Sequence, residues 1–373
     1  MALAIAATRT RSVGSFRLTT EDTAERDPTA VVGFVGDVML GRRVSESLLR
    51  LPPDRLLGDL PSVLSGCDGV IANLESPITR HATRWSHSWK AYHYRAVPAA
   101  IDWLRAARIR AVSLANNHIL DFETRGLLDT CRHLDDAGIA YAGAGTTPES
   151  AMAGTIFRIA PVTFGFLGIT DNMPEWQLPT LGACTFYTKI TDDPATASAI
   201  ASQAANLRRR GADIIVLSIH WGWMPIPMVD SPRRYRRFAR RMIDCGIDIV
   251  HGHSSHLLQG VETYGGGLIL YDTGNFMDDY WILPGFPMDR SAIFMLEFRG
   301  KVPSRLQIVP VSRRRCHAEC ARGRSRAAIL GSLEARCRRL GTRTIRIDDR
   351  LAIDLRGTPP SIRARQMTCL ERA

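Results

Sequence analysis

The strongest constraint in this sequence is a pattern that recurs five times: a short apolar, largely β-branched run that ends on a residue able to bind a metal or move a proton. Ala30–Val35 leads to Gly36-Asp37, Gly69–Asn73 to Glu75, Ala111–Ala115 to Asn116-Asn117-His118, Asp213–Ile219 to His220, and Ile247–Val250 to His251-Gly252-His253. Continuous apolar runs of this length read as strands buried on both faces, the habit of parallel sheets. Between them, Pro98–Arg108, Thr124–Ala137, Ala195–Arg210 and Pro232–Cys245 carry apolar residues at helical spacing. The alternation predicts an α/β fold on a mostly parallel sheet, and such sheets bind ligands at the carboxyl ends of their strands.

Later strands read as antiparallel: Val261–Tyr264 with Gly267–Tyr271, and Ser291–Phe298 with Ser304–Val311. Near the C-terminus a helix over Ala327–Leu340 and a hairpin of Thr342–Ile347 with Leu351–Leu355 are expected. The expected organisation is a flexible N-terminal arm (1–29), a main domain (30–311) and an Arg-rich helix-plus-hairpin extension (312–373). The net charge of +11 resides in that tail: residues 301–373 contain 18 basic and 6 acidic side chains, against 30 and 31 in the first 300. Only Lys90, Lys189 and Lys301 are lysines, a bias that codon usage explains as well as phosphate binding does. Without interleaved aromatics or a binding motif, no nucleic-acid partner is expected.

The eight cysteines form no CxxC pair and read as reduced thiols; Cys316, His317 and Cys320 are a weak candidate for zinc. No apolar run approaches the roughly 18 residues of a membrane span, and the basic residues Arg9 and Arg11 follow the apolar Met1–Ala7 where a signal peptide has them first. Cytoplasmic placement is expected, with docking to a membrane complex as the alternative.

Carboxylate, amide oxygen and imidazole together suit Mn, Fe or Zn rather than calcium. The candidates are Asp37, Glu75, Asn117, His118, His220, His253 and His256. Each alone has a plainer reading, a turn cap or a core histidine, but two imidazoles three residues apart in Gly252-His253-Ser254-Ser255-His256 can converge on one point. A second cluster, Trp85 to Arg95, is aromatic and basic; it reads equally well as a substrate contact or as a loop packed by its own rings. Glu262, Asp278, Asp279 and Asp289 either approach the site or cap turns.

These segments resemble the CapA family of poly-γ-glutamate capsule-synthesis proteins, within the calcineurin-like metallophosphoesterase superfamily. The likeness rests on Val35-Gly36-Asp37-Val38-Met39-Leu40-Gly41-Arg42, Ala72-Asn73-Leu74-Glu75-Ser76-Pro77, Leu114-Ala115-Asn116-Asn117-His118-Ile119-Leu120-Asp121, Tyr141-Ala142-Gly143-Ala144-Gly145, His220-Trp221-Gly222, the His253/His256 segment and Tyr271-Asp272-Thr273-Gly274-Asn275-Phe276, in order over residues 31–295. The resemblance implies a four-layer α/β sandwich of two mixed sheets flanked by helices, with one or two divalent ions at the strand ends. Asp37, Glu75, Asn117, His220, His253 and His256 would be ligands, Glu75 a possible bridge, His118 a general acid and Asp121 its orienting partner. Lys90, Arg95 and Asn116 would contact substrate. Two departures from the wider superfamily, Met39 where Asp-x-His has its imidazole and two residues between His253 and His256, leave one ion or two open.

The reading implied is a metal-dependent hydrolase or transferase acting on poly-γ-glutamate, a related acidic polymer or peptide, or a phosphorylated small molecule. A non-catalytic accessory subunit and a tailoring enzyme acting on a peptide amide are the alternatives, since a fold does not fix a substrate.

Overall fold

The computed structural model describes residues 29–178, 182–222 and 230–356. The expected N-terminal arm lies outside the described residues apart from Thr29, as does the end of the C-terminal extension.

Among the described residues two mixed sheets, of ten and six strands, stack face to face. The larger has a parallel centre of Ala30–Val38, Gly69–Leu74, Ile109–Ser113 and Ala140–Ala142. On the other side of Ala30–Val38 it continues antiparallel through Arg290–Arg299, Val302–Arg314, Arg350–Asp354 and Ile345–Ile347. The smaller sheet runs parallel through Val162–Thr170, Ile214–His220, Ile249–His253 and Gly267–Leu270, with antiparallel edges at Thr155–Ile159 and Val261–Tyr264.

Side-chain alternation assigns each face. Val32, Phe34, Ile71 and Ala111 of the larger sheet meet Phe164, Phe166, Ile214, Val216 and Ile249 of the smaller in the central core. On the outer face of the larger sheet, Val35, Val70, Ala72 and Val112 pack with side chains of Arg42–Leu48, Leu60–Leu64, Ala100–Ala106 and Glu123–Ala137. The other outer face is covered by Pro194–Arg209 and Arg233–Asp244. The architecture is thus the four-layer sandwich of two mixed sheets flanked by helices.

Two differences from the sequence reading have physical causes. The expected division at residue 311 falls inside the strand Val302–Arg314, and Arg350–Asp354 pairs with that strand. The helix Gly323–Arg339 buries Ile329, Leu330, Leu333 and Cys337 in the central core, so this segment is built into the sandwich. Its arginines spread into peripheral pairs such as Arg322–Asp59, Arg339–Asp230 and Arg346–Glu334. The central strand Val162–Thr170 is absent from the sequence reading because Pro161, Gly165 and Gly168 interrupt its strand signal. Gly168 is required by close approach: a Cβ there would lie 2.8 Å from the Ala142 carbonyl oxygen.

One irregularity positions the site. Ala30–Val38 shifts register between Phe34 and Asp37 relative to its neighbour Gly69–Leu74. Val35 and Val38 consequently both face the helices while Phe34 faces the other sheet. A strict alternation would put Asp37 on the helix side; the bulge turns it toward the smaller sheet. Gly36 sits in this bulge, where a Cβ would lie 1.7 Å from the Gly274 carbonyl oxygen, the acceptor of the Asp37 N–H. Gly36→Ala is expected to cost about 2–3 kcal/mol through this overlap. Urea unfolding checks it, and an unchanged midpoint would refute the account of the bulge.

Candidate metal centre

Asp37 is fully buried, yet both its oxygens are engaged. Oδ1 accepts from Asn73 Nδ2 at 2.7 Å and lies 3.4 Å from His253 Nδ1 and 3.8 Å from His220 Nδ1. Oδ2 accepts from the Ser254 N–H at 3.1 Å and lies 3.3 Å from His256 Nδ1. Burial alone would raise this carboxyl, but the bonds from His253 and His256 and the charge of His220 hold it well below the ordinary range. Glu75 moves the other way: burial and the charge of Asp37 push it well above its usual value, with Tyr280 Oη donating to its Oε2 at 3.0 Å. His256 is raised to about 10, because the Asp37 and Glu75 carboxylates overcome its desolvation.

Two sets of donor atoms result, each within 4.8 Å of one another: Asp37, His220 and His253, and Asp37, Glu75 and His256. Asp37 is common to both. These are ligand types of transition metals, and the residues carry the marks of a cation site. His220 Nδ1 and His253 Nδ1 are 3.0 Å apart, and burial keeps His220 neutral by lowering it well below its usual value. The buried Asn117 Oδ1 has no hydrogen-bond donor. An acceptor left without a donor and imidazoles facing one another fit a divalent ion. Neither set includes Cys316, His317 or Cys320.

His118 stands beside these groups in a second network. Its Nδ1 lies 2.7 Å from Asp121 Oδ2, which also accepts from the Tyr94 N–H at 2.6 Å. The Tyr94 ring stacks on the imidazole at a centroid distance of 4.1 Å. Burial, then the nearby Lys90 ammonium, lower His118 to about 4. Asp121 accepts from Nδ1–H, leaving Nε2 of a neutral ring as a proton acceptor.

Of the three expected substrate contacts, Lys90 lies in the His118 network, its Nζ 3.3 Å from His118 Nδ1. Lys90 is buried, paired with Asp121 Oδ1 at 2.9 Å, bonded to the Asn117 carbonyl oxygen and set over the Trp176 ring. Asn116 is spent inside the fold, donating to Asn73 Oδ1 at 3.0 Å and the Leu74 carbonyl at 2.8 Å. Arg95 donates to the His81 carbonyl at 2.6 Å and lies over Phe122. Both amide hydrogens of Asn116 are thus used within the fold, whereas Arg95 is exposed and uses one of its N–H groups.

Several participants carried no assigned role in the sequence reading. Asn73 holds Asp37, Asn275 Oδ1 is 2.7 Å from His256 Nδ1, and Tyr280 holds Glu75. His251, lowered to about 3 by burial, is tied to the Val35 carbonyl oxygen by Nε2 at 2.9 Å. Asn73 and Asn275 lie within motifs quoted for the resemblance, so position beside a ligand was the available signal. Glu262 pairs with Arg240, Asp279 with Arg42, and Asp278 with the buried Arg313.

Fold and centre define an α/β sandwich with a candidate metal centre where the carboxyl edges of its two sheets meet. The chain belongs to the CapA family: the family described as bacterial capsule synthesis protein PGA_cap matches residues 31–280. The capsule biosynthesis protein CapA of Bacillus anthracis is 28% identical over 281 residues, 75% of this chain and 66% of that protein, so the chain spans about two thirds of it. A probable polyglutamine synthesis accessory protein of Mycobacterium tuberculosis is 31% identical over 332 residues, 85% of each chain. Among solved structures, the sulfate thiohydrolase SoxB of Thermus thermophilus aligns over 83% of this chain and 60% of its own, with 11% identity and a TM-score of 0.43. A 5′-nucleotidase precursor from the same species aligns over 78% and 54%, with 13% identity and a TM-score of 0.41. Among the described residues no helix is long and apolar enough to cross a membrane.

The shared position of Asp37 sets an order of metal loss. Elemental analysis after loading with Mn or Zn is expected to find none retained by Asp37→Ala, and the wild-type content reduced but not abolished in His253→Ala. Equal retention by Asp37→Ala and wild type would overturn the assignment.

Proposed function

We propose that this protein is a metal-dependent hydrolase or transferase with a phosphoesterase-type site, acting in the synthesis or remodelling of poly-γ-glutamate or a related acidic polymer or peptide. The observation that carries this reading is a buried carboxylate, Asp37, shared by two donor sets, with the His118–Asp121 pair in the adjoining network. Asp37, Glu75, Asn117, His220, His253 and His256 would hold the ion or ions, Mn, Zn or Fe. When bound, these supply Lewis acidity at the attacked phosphoryl or acyl oxygen and lower the pKa of water.

The chain's own residues do the rest. His118 Nε2 takes up a proton at the reacting centre and can return it to a leaving group. Asp121 fixes the tautomer through Nδ1 and stabilises the imidazolium once formed, while Lys90 fixes Asp121. Tyr94 covers one ring face and limits water. The acidic substrate class is supported by the capsule synthesis family and by its relatives, the capsule biosynthesis protein of Bacillus anthracis and the PGA biosynthesis protein of Bacillus subtilis.

One observation favours the accessory-subunit reading. Met39 stands where the wider superfamily has a ligand imidazole, and its sulfur is buried, accepting from the Gly41 N–H at 3.1 Å. Turnover separates the two readings. Metal-loaded protein is expected to hydrolyse bis(p-nitrophenyl) phosphate or a γ-glutamyl oligopeptide, with kcat falling about 100-fold in His118→Ala and about tenfold in Asp121→Asn. No turnover of either compound, or turnover indifferent to His118, would favour the accessory role.

A further inference from the structure

A cavity of about 630 Å³ opens beside the centre, and no step above uses it. Tyr280 is the shared wall: it lines the cavity, donates to Glu75 Oε2 at 3.0 Å and packs its ring against His256 at 5.2 Å. Arg42 is a second link, lining the cavity while its guanidinium lies 5.3 Å above the Tyr94 ring that stacks on His118. The cavity is therefore one side chain, Tyr280, away from Glu75 and His256, and two, Arg42 and Tyr94, away from His118.

Its lining combines two chemistries. Asp279 is consumed by Arg42, at 3.0 Å from Nη2. Arg43 and Arg315 are exposed and form no ion pair among the described residues, which leaves two guanidiniums against the single carboxylate of Glu46. Beside them Trp281 is 81% exposed and Ile282 42%, an apolar surface that nothing in the fold requires to face water. Guanidinium forks grip carboxylates, and an indole face accepts methylenes.

We infer that this cavity is the binding groove for the anionic polymer, holding γ-linked glutamyl units with their α-carboxylates on Arg43 and Arg315 and their dimethylene spacers on Trp281 and Ile282. The inference rests on the substrate class proposed above. A γ-linked chain alternates carboxylate, amide and two methylenes along its backbone, matching a wall that alternates cation and apolar surface. An α-linked polyglutamate of equal charge carries its methylenes in side chains and matches that wall less well. A compact phosphorylated molecule would use the arginines but not the indole.

The test is binding of fluorescently labelled oligo-γ-glutamate to the full chain, followed by anisotropy at low salt with protein freed of metal by dialysis. Arg43→Ala/Arg315→Ala is expected to weaken binding about tenfold, as two exposed charge contacts are lost. Trp281→Ala is expected to weaken it severalfold, and Glu46→Gln to strengthen it. An α-linked oligoglutamate of the same length is expected to bind less tightly. No binding by wild type, equal binding of the two linkages, or affinity unmoved by these substitutions would each overturn the groove. Because the centre is empty of metal here, failure of the groove is read separately from failure of the hydrolytic reading, which shows as absent metal-dependent turnover.

Discussion

The interaction on which the rest of the structure depends is the burial of the Asp37 carboxylate between two sheets. A carboxylate without solvent contact is costly unless its lone pairs are met. Here they are met from both sheets at once: Asn73 on the larger, and His253, Ser254 and His256 from the end of the smaller. The requirement propagates outward. Asn73 is held in turn by Asn116, and the loop after His253 places Ser254 at φ +106° and His256 at φ +60°. Left-handed conformations at two non-glycine residues are strained, each by about 1–3 kcal/mol, and concentrate where function demands a fixed geometry. A divalent cation would neutralise the same carboxylates whose charge raises His256.

The same logic explains why the C-terminal segment is woven into the sandwich. Arg313, on the strand Val302–Arg314, is fully buried and pairs with Asp278 Oδ1 at 2.7 Å. That oxygen also accepts from the Tyr280 N–H at 2.7 Å, and Tyr280 Oη reaches Glu75. A chain of contacts thus runs from the Arg-rich segment to a candidate ligand. The tail's other arginines form surface pairs worth about 0–1 kcal/mol each, which accounts for part of its charge without a nucleic acid.

The sheet alternation and the five strand ends were legible because apolar runs and their polar terminations are local signals. The convergence of Asp37, Glu75, His220, His253 and His256 followed from topology, since parallel strands bring their carboxyl ends to one edge. What stayed illegible depends on non-local geometry. The bulge that turns Asp37 inward leaves no mark beyond Gly36. Val162–Thr170 carries glycines because the opposing sheet approaches closely, and glycine lowers the strand signal that would reveal it. Asn116 has the chemistry of a substrate contact, and only the fold shows both its amide hydrogens already used.

Lys90 makes that last point in energetic form. An ammonium with a side chain only 7% exposed must be matched by charge, and Asp121 matches it. Asp121 then has one oxygen on the ammonium and the other shared by His118 and the Tyr94 N–H. The ammonium and the imidazole thus share one carboxylate, and the Lys90 charge, added to burial, lowers His118. A guanidinium would spread its charge over a planar fork and could not occupy the compact space between Asp121, the Asn117 carbonyl and Trp176 in the same way. In a chain whose bases are almost all arginine, a lysine at this position is explained by the compact space beside Asp121.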